Sequence, residues 1–293
     1  MLDTVDITRE GTRRTFDGPT PLSYHIAGEG EAFVMLHGSG PGVSGWGNFG
    51  ANLPLFSQHF RTIIPDQPGF GASPRPEMDR PYHRISSDAI AALLDELGIE
   101  KAHVLGNSMG GSVAARFALD HPDRLGKLVL MGPGGVGAAI LSPSPPEGLG
   151  RLVEFAQDPT REKLVAWMKT MVSDKAFITE ELIEERWRNA TEPGAIEWLR
   201  LFFSHVGGKS KRPTEEIPLW AQVPKIAAPT LITWGRDDRV TPLEMAWLPL
   251  RQMREVELHV FSGCGHWAMT EKREQFERVV MEFLTRPVAT SVA

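Results

Sequence analysis

Cysteine is nearly absent from this chain: Cys264 is the only one among 293 residues. That excludes an intramolecular disulfide and a cysteine-rich metal site, and a reducing, cytoplasmic setting is expected. Long apolar runs are missing too. None reaches the roughly 18 residues needed to cross a bilayer, and Met1 to Glu10 carries acids where a secretory leader would have an apolar core. No membrane association is expected. Positive charge is in the minority: 31 Lys and Arg face 37 Asp and Glu, a net charge of −6 with no basic block. Nucleic acid is therefore not expected as a partner, since nothing would neutralise a run of phosphates. Of the nine histidines, His25, His59, His83 and His205 show no paired ligand spacing, so no metal is expected.

Glycine and proline, by contrast, are plentiful, at 29 and 23 residues, as suits a chain with many turns. Short apolar runs recur at 33–36, 62–64, 102–105, 128–131, 230–234 and 258–261. Their length and continuity suit strands buried on both faces. Between them, Ile85 to Leu97, Gly110 to Leu119 and Glu274 to Leu284 carry helical spacing, and Val5 to Ile26 reads as an opening pair of strands. The alternation predicts an α/β fold: a mostly parallel central sheet flanked by helices. It breaks after Met131. Gly132 to Pro146 is rich in Gly, Pro and Ser, and from Leu149 to about Val206 the pattern is purely helical. The expected organisation is a core of residues 1–132 and 216–293 with a helical cap, 133–215, inserted into it.

The strongest chemical signal is Gly106-Asn107-Ser108-Met109-Gly110, a G-x-S-x-G where a strand meets a helix. A nucleophilic serine on such a sharp turn stands above the sheet edge, and the flanking glycines let strand and helix approach. The serine needs a base, and this fold logic places an acid and then a histidine later in the chain. Gly235-Arg236-Asp237-Asp238 and Gly263-Cys264-Gly265-His266 each follow a strand. His266 is the candidate base, and Asp237 and Asp238 are rival acids. His37-Gly38-Ser39-Gly40 follows the strand ending at Leu36. Its Ser39 N–H, with that of Met109, is the candidate oxyanion hole. The same loop does not complete G-x-G-x-x-G, because Val43 stands where the third glycine would be, so a dinucleotide fingerprint is not supported.

With these residues assembled, the chain resembles the meta-cleavage product hydrolases, the carbon–carbon bond hydrolases of aromatic and steroid ring degradation. The resemblance rests on HGSGPG (37–42), Trp46-Gly47-Asn48-Phe49, GNSMGG (106–111), LVLMGPGG (128–135), ITEELIEERW (178–187), WGRDDRV (234–240) and CGHW (264–267). It implies an α/β-hydrolase fold, no cofactor, and a homodimer or homotetramer. The implied substrate is a 2-hydroxy-6-oxohexa-2,4-dienoate substituted at carbon 6. The acid should lie three residues after Gly235, which favours Asp238. Arg186 should bind the carboxylate end. Gly38, Asn48 and Asn107 should line the polar part of the substrate pocket, Trp267 should pack near the dienoate, and Met171 should contact the carbon-6 substituent. Ser39 departs from the three consecutive glycines of many relatives but keeps its N–H. A general carboxylesterase, or a hydrolase-fold ligand receptor, would keep the same triad. Segments read as cap, DELGIE (95–100), ALDHPDR (118–124) and EERW, lean toward a bulky aryl or steroid-derived substituent, whereas HGSGPGV (37–43) also occurs in relatives for small alkyl groups, so the substituent stays open.

Overall fold

The computed structural model describes residues 7–141, 145–206 and 217–287. The N-terminal part forms α1 (Arg9–Thr12), β1 (Arg13–Phe16), β2 (Leu22–Ala27), β3 (Ala32–Leu36), α2 (Gly45–Phe49), α3 (Leu53–Phe56) and β4 (Arg61–Pro65). Then come α4 (Tyr82–Glu96), β5 (Ala102–Asn107), α5 (Met109–Asp120) and β6 (Leu125–Met131). Four helices follow without a strand: α6 (Glu147–Gln157), α7 (Arg161–Met168), α8 (Glu180–Ala190) and α9 (Ala195–Val206). The chain closes with α10 (Leu219–Gln222), β7 (Thr230–Gly235), α11 (Trp247–Gln252), β8 (Val256–Phe261), α12 (Ala268–Glu271) and α13 (Arg273–Thr285).

The eight strands form one sheet in the order β1-β2-β4-β3-β5-β6-β7-β8. Only the β1–β2 and β2–β4 pairs are antiparallel; every pair from β4–β3 to β7–β8 is parallel. The runs 33–36, 62–64, 128–131 and 230–234 are buried along their length because helices cover both faces, and 102–105 is buried except at His103. The run 258–261 departs from the expected burial on both faces, because β8 is an edge strand and Val260 is exposed. Alternation along a strand divides the core in two. Val34, Leu36, Val104, Leu128 and Leu130 feed one cluster, with α4 and α5. Phe33, Met35, Leu105, Val129 and Met131 feed the other, with α13 and the α6–α7 region.

The opening segment departs from the expected strand pair in one respect. Thr8 accepts a hydrogen bond from Gly11 N–H and caps a single helical turn, α1, before β1 begins. The segments 95–100 and 118–124 are not part of the cap. The first ends α4 and leads to β5, and the second ends α5 and leads into β6, so both pack in the α/β core. Their apolar residues Ile99 and Ala118 join the cluster beneath α4 and α5, and they therefore carry no information about a substrate. Among the described residues no helix is long and apolar enough to cross a membrane.

Parallel strands share one carboxyl edge, and the loops that leave it converge. HGSG follows β3, Ser108 follows β5, Gly132 follows β6, Asp238 follows β7 and His266 follows β8. One tight constraint in this array is the crossing of β5 and α5. A Cβ on Gly106 would lie 2.1 Å from the Gly110 carbonyl oxygen, and one on Gly110 would lie 2.2 Å from the Leu36 carbonyl oxygen. Backbone cannot move aside as a flexible side chain can. Gly106→Ala is therefore expected to lower stability by at least about 2 kcal/mol and to abolish activity, as read by thermal unfolding and esterase assay. A variant as stable as the parent would contradict this packing.

Candidate active site

Ser108 is the only non-glycine residue with positive φ among the described residues, at φ 54° and ψ −115°. L residues enter this region only when their surroundings hold them there. Here Ser108 N–H donates to the Met131 carbonyl at 3.0 Å, and the Ser108 carbonyl accepts from Gly111 N–H and Gly134 N–H, both at 2.9 Å. The turn thus lifts the side chain off the sheet edge at the start of α5.

Asp238 and His266 meet as an acid–imidazole pair. His266 Nδ1 lies 2.7 Å from Asp238 Oδ2, and both side chains are buried. The other Asp238 oxygen, Oδ1, accepts from Val240 N–H (2.8 Å) and Thr241 N–H (2.9 Å). The carboxylate is therefore held in one orientation and fixes the Nδ1–H tautomer of the ring. Asp237 turns away: it accepts from Arg236 Nε and Ser173 Oγ, and its N–H donates to the Cys264 carbonyl. Of the two acids, Asp238 is the one that meets His266.

His266 Nε2, the nitrogen left for the serine, is buried and has no hydrogen-bond partner among the described residues. Ser108 and His266 face the same narrow cavity, but the expected Ser108–His266 hydrogen bond is not formed. A free serine hydroxyl can rotate, and such bonds are often long before substrate binds.

Gly38, Ser39, Asn48, Asn107, Trp167, Met171, Arg186 and Trp267 line this cavity with the two catalytic candidates. Every sequence-predicted site residue except Asp238 and Met109 is thus a wall of it. Asp238 stands behind His266, and Met109 heads α5 directly after Ser108. Neither Ser39 N–H nor Met109 N–H is engaged in a turn or loop hydrogen bond among the described residues, as an oxyanion hole requires. A Cβ on Gly38 would sit 3.0 Å from Asn107 Oδ1 and 3.2 Å from Ser108 Cβ; glycine lets this loop approach the serine. Asn48 Nδ2 donates to Asn107 Oδ1 at 3.4 Å, and Asn107 Nδ2 donates to the Met131 carbonyl at 3.2 Å.

Arg186 is the electrostatic anomaly. It is only 4% exposed, and no carboxylate among the described residues pairs with it. Its Nη1 donates to the Pro41 carbonyl at 3.3 Å, and its guanidinium lies 5.3 Å from the centre of the Trp267 ring. Burial lowers its pKa to about 10, so it stays cationic at neutral pH. A buried cation without a counter-ion is costly.

Several positioning groups escaped the sequence reading. Thr241 Oγ1 lies 2.9 Å from Asp238 Oδ2 and 3.2 Å from His266 Nδ1. Gly132, at φ 48°, passes so close beneath the pair that a Cβ would stand 3.2 Å from the His266 ring and 3.3 Å from Asp238 Oδ2. Glu271 accepts from Gly265 N–H on one side and from Ser173 and Asp174 N–H on the other. The Met171 carbonyl accepts from His266 N–H at 2.7 Å. His37 is buried, and burial holds its pKa down to about 4. Its neutral ring donates from Nδ1 to the Gly38 carbonyl and accepts at Nε2 from Gln67 N–H, which pins the oxyanion loop. Of these, only the HG pair opening HGSGPG and the glycine following Met131 left any mark in the sequence. Thr241 and Glu271 look like ordinary surface residues there.

Comparison with known proteins agrees with this geometry. The family described by the alpha/beta hydrolase fold matches residues 31–273. The chain is 41% identical over 259 residues to a 2-hydroxy-6-oxo-6-phenylhexa-2,4-dienoate hydrolase of Burkholderia cepacia, covering 88% of this chain and 89% of the relative. It is 40% identical over 259 residues to a 2-hydroxy-6-oxononadienedioate/2-hydroxy-6-oxononatrienedioate hydrolase of Comamonas testosteroni, with the same coverage of 88% and 89%. Among solved structures, a meta-cleavage product hydrolase from Pseudomonas fluorescens IP01 superposes with a TM-score of 0.81 at 31% identity, covering 92% of this chain and 96% of that one. The 2-hydroxy-6-oxo-6-phenylhexa-2,4-dienoate hydrolase of Rhodococcus sp. strain RHA1 gives 0.83 at 29% identity, covering 94% and 98%. With its strained serine, its acid-held imidazole and these relatives over most of its length, the chain belongs to the meta-cleavage product hydrolases of the α/β-hydrolase fold.

Proposed function

We propose that this enzyme hydrolyses the C5–C6 bond of a 6-substituted 2-hydroxy-6-oxohexa-2,4-dienoate, a product of aromatic or steroid ring cleavage. The products are 2-hydroxypenta-2,4-dienoate and a carboxylic acid. The observation that carries this reading is Arg186, a buried guanidinium without a carboxylate partner in the same cavity as Ser108. A generic esterase has no use for it; a dienoate brings the missing carboxylate.

The reaction needs an electron sink, because carbon is a poor leaving group. A proton placed on carbon 5 converts the dienol to its keto tautomer. Arg186, by holding the carboxylate and the oxygen on carbon 2, favours the form in which charge has moved toward that end. Ser108 Oγ then attacks the carbon-6 ketone while His266 Nε2 takes its proton. The oxyanion rests on the N–H groups of Ser39 and Met109. Breaking C5–C6 leaves an acyl group on Ser108 and the electron pair on the dienolate, which takes up the proton held by His266 and departs as 2-hydroxypenta-2,4-dienoate, leaving the imidazole neutral again. Water, deprotonated by His266, releases the acid. Asp238 keeps His266 in the working tautomer and stabilises the imidazolium. Asn48, Asn107 and Gly38 form the polar wall.

Apart from Arg186, the apolar walls of the cavity are Trp167 and Met171 from the cap and Val43 and Trp267 from the core. One cation matches one carboxylate, and the remaining walls suit an apolar carbon-6 group. This favours a phenyl-type substituent, of the sort named for the Burkholderia relative, over a second carboxylate. Residues 133–215 act in this reading as a cap over the core 1–132 and 216–293, although 207–216 lie outside the described residues. The single buried cysteine and the family resemblance support a cytoplasmic homodimer or homotetramer.

Three measurements test the reading. The 6-phenyl dienoate, followed by loss of its yellow absorbance, should be turned over far faster than p-nitrophenyl acetate; the reverse would make the protein an esterase. Ser108→Ala should still bind the dienoate but lose about 10⁶-fold in kcat, and parental turnover would remove Ser108 from the chemistry. Arg186→Ala should cost about 1.5–3 kcal/mol of transition-state binding, roughly ten- to a hundredfold in kcat/KM, on the dienoate. The neutral ester should be spared, and equal losses on both would exclude a carboxylate role for Arg186.

A further inference from the structure

A second cavity lies across the Gly40–Val43 loop from Ser108. Its volume is about 640 Å3, whereas the Ser108 cavity has no room for a free water-sized sphere. The two share one wall residue, the buried Val43. Pro41, whose carbonyl accepts from Arg186 Nη1, also lines the larger cavity. So do Asn189 and Ala190, on the turn of α8 that follows Arg186. The carboxylate-reading guanidinium therefore abuts the partition between the two spaces.

The larger cavity is lined by charges of both signs. Arg9, Arg13 and Arg75 face the two acids Asp66 and Glu192. Arg9 pairs with Glu185 at 3.6 Å. Arg13 and Arg75 are exposed and have only neutral partners among the described residues: Arg13 Nε donates to Ser23 Oγ and Arg75 Nη2 to the Pro193 carbonyl. Asp66 is buried, with Oδ1 accepting from Gly45 N–H and Oδ2 from Ala72 N–H. The Nε1–H of Trp198, on the wall facing Gly69, is a buried donor with no acceptor among the described residues. The positive field is felt by His25 in the same wall: burial first, then Arg9 and Arg13, lower its pKa to about 4. The cavity thus offers two exposed guanidinium groups, donors suited to an organic anion.

We propose that this cavity is a capture site for the carboxylate of the incoming dienoate. The anion docks against Arg13 and Arg75, and the substrate then passes Val43 with its carbon-6 end leading. The order fits the positions of the two catalytic groups. The carboxylate trails and comes to rest on Arg186, beside the Pro41 partition, while carbon 6 travels on to Ser108. The dienoate product, freed while the acyl group is still on Ser108, has its charged end already at the exit. Charge of this kind raises association rates by about 10- to 1,000-fold and is screened by salt.

This inference rests on the dienoate reading of the site. It is tested by stopped-flow binding of the 6-phenyl dienoate to Ser108→Ala protein, with and without Arg13→Glu and Arg75→Glu, across a range of ionic strength. The same two charge reversals in the parent enzyme are assayed with p-nitrophenyl acetate. The expected result is at least a tenfold lower association rate constant with a flattened salt dependence, and unchanged ester hydrolysis. An unchanged rate constant and salt slope would overturn the capture site. Equal losses on dienoate and ester would overturn it too, because no charge-specific effect would remain. Should the charge reversals impair folding, Arg13→Gln and Arg75→Gln serve, with a smaller effect in the same direction. An enzyme that hydrolyses the ester but neither binds nor cleaves any dienoate would instead defeat the functional reading, and the capture site with it.

Discussion

The left-handed turn at Ser108 is the constraint on which the site depends. A serine in this conformation costs about 1–3 kcal/mol, and the surrounding structure must hold it there. The means are all local to the sheet edge. Glycines at 106 and 110 allow backbone approaches that any side chain would forbid. Hydrogen bonds from the Ser108 backbone tie the turn to Met131 and Gly134 at the end of the neighbouring strand. The segment after β6 is therefore more than an exit toward the cap. It braces the nucleophile through Gly134, and at Gly132 it passes beneath the acid–imidazole pair.

The same economy joins cap to core. His266 is oriented from below by Asp238 and Thr241 and from above by a backbone hydrogen bond to Met171. Glu271 bridges the histidine loop to Ser173 and Asp174 in the helical insertion. Arg186 reaches down from α8 to Pro41 in the oxyanion loop, and a Cβ on Gly42 would strike the Arg186 carbonyl oxygen at 2.3 Å. A displacement of the helical insertion would thus disturb the base, the oxyanion loop and the carboxylate anchor together. This is a physical reason to expect substrate entry and catalytic alignment to be coupled in this fold.

Electrostatics divides the labour between two regions. Inside, a single guanidinium is kept dry and uncompensated, so that one anion satisfies it. At the mouth, guanidinium groups remain wet and lose little by being unpaired. In the proposed function the first arrangement recognises a carboxylate, and in the proposed capture site the second delivers it. Neither requires the chain as a whole to be basic, and it is in fact acidic.

What could be read from the sequence was whatever is encoded locally. Apolar runs of three to five residues announced the central strands, and helical spacing announced α4, α5 and α13 to within a few residues. The G-x-S-x-G between strand and helix marked the strained turn, because only glycine tolerates the contacts it makes. The chain order of serine, acid and histidine followed from which strands end at the same edge. Residues matched through the resemblance, Arg186 and Trp267 among them, fell on the cavity wall. Tertiary structure decided what depends on partners distant in sequence. It chose Asp238 over Asp237 by turning one carboxylate toward His266 and the other toward Ser173. It moved the segments 95–100 and 118–124 out of the cap, since composition cannot say which side of a sheet a connection packs on. It revealed Thr241, Glu271 and Gly132 as supports, and it showed that Arg186 has no acidic partner among the described residues. The hydrogen bond from Arg186 to Pro41 spans 145 positions of chain. Burial and pairing at that range are properties of the folded packing, and no local pattern records them.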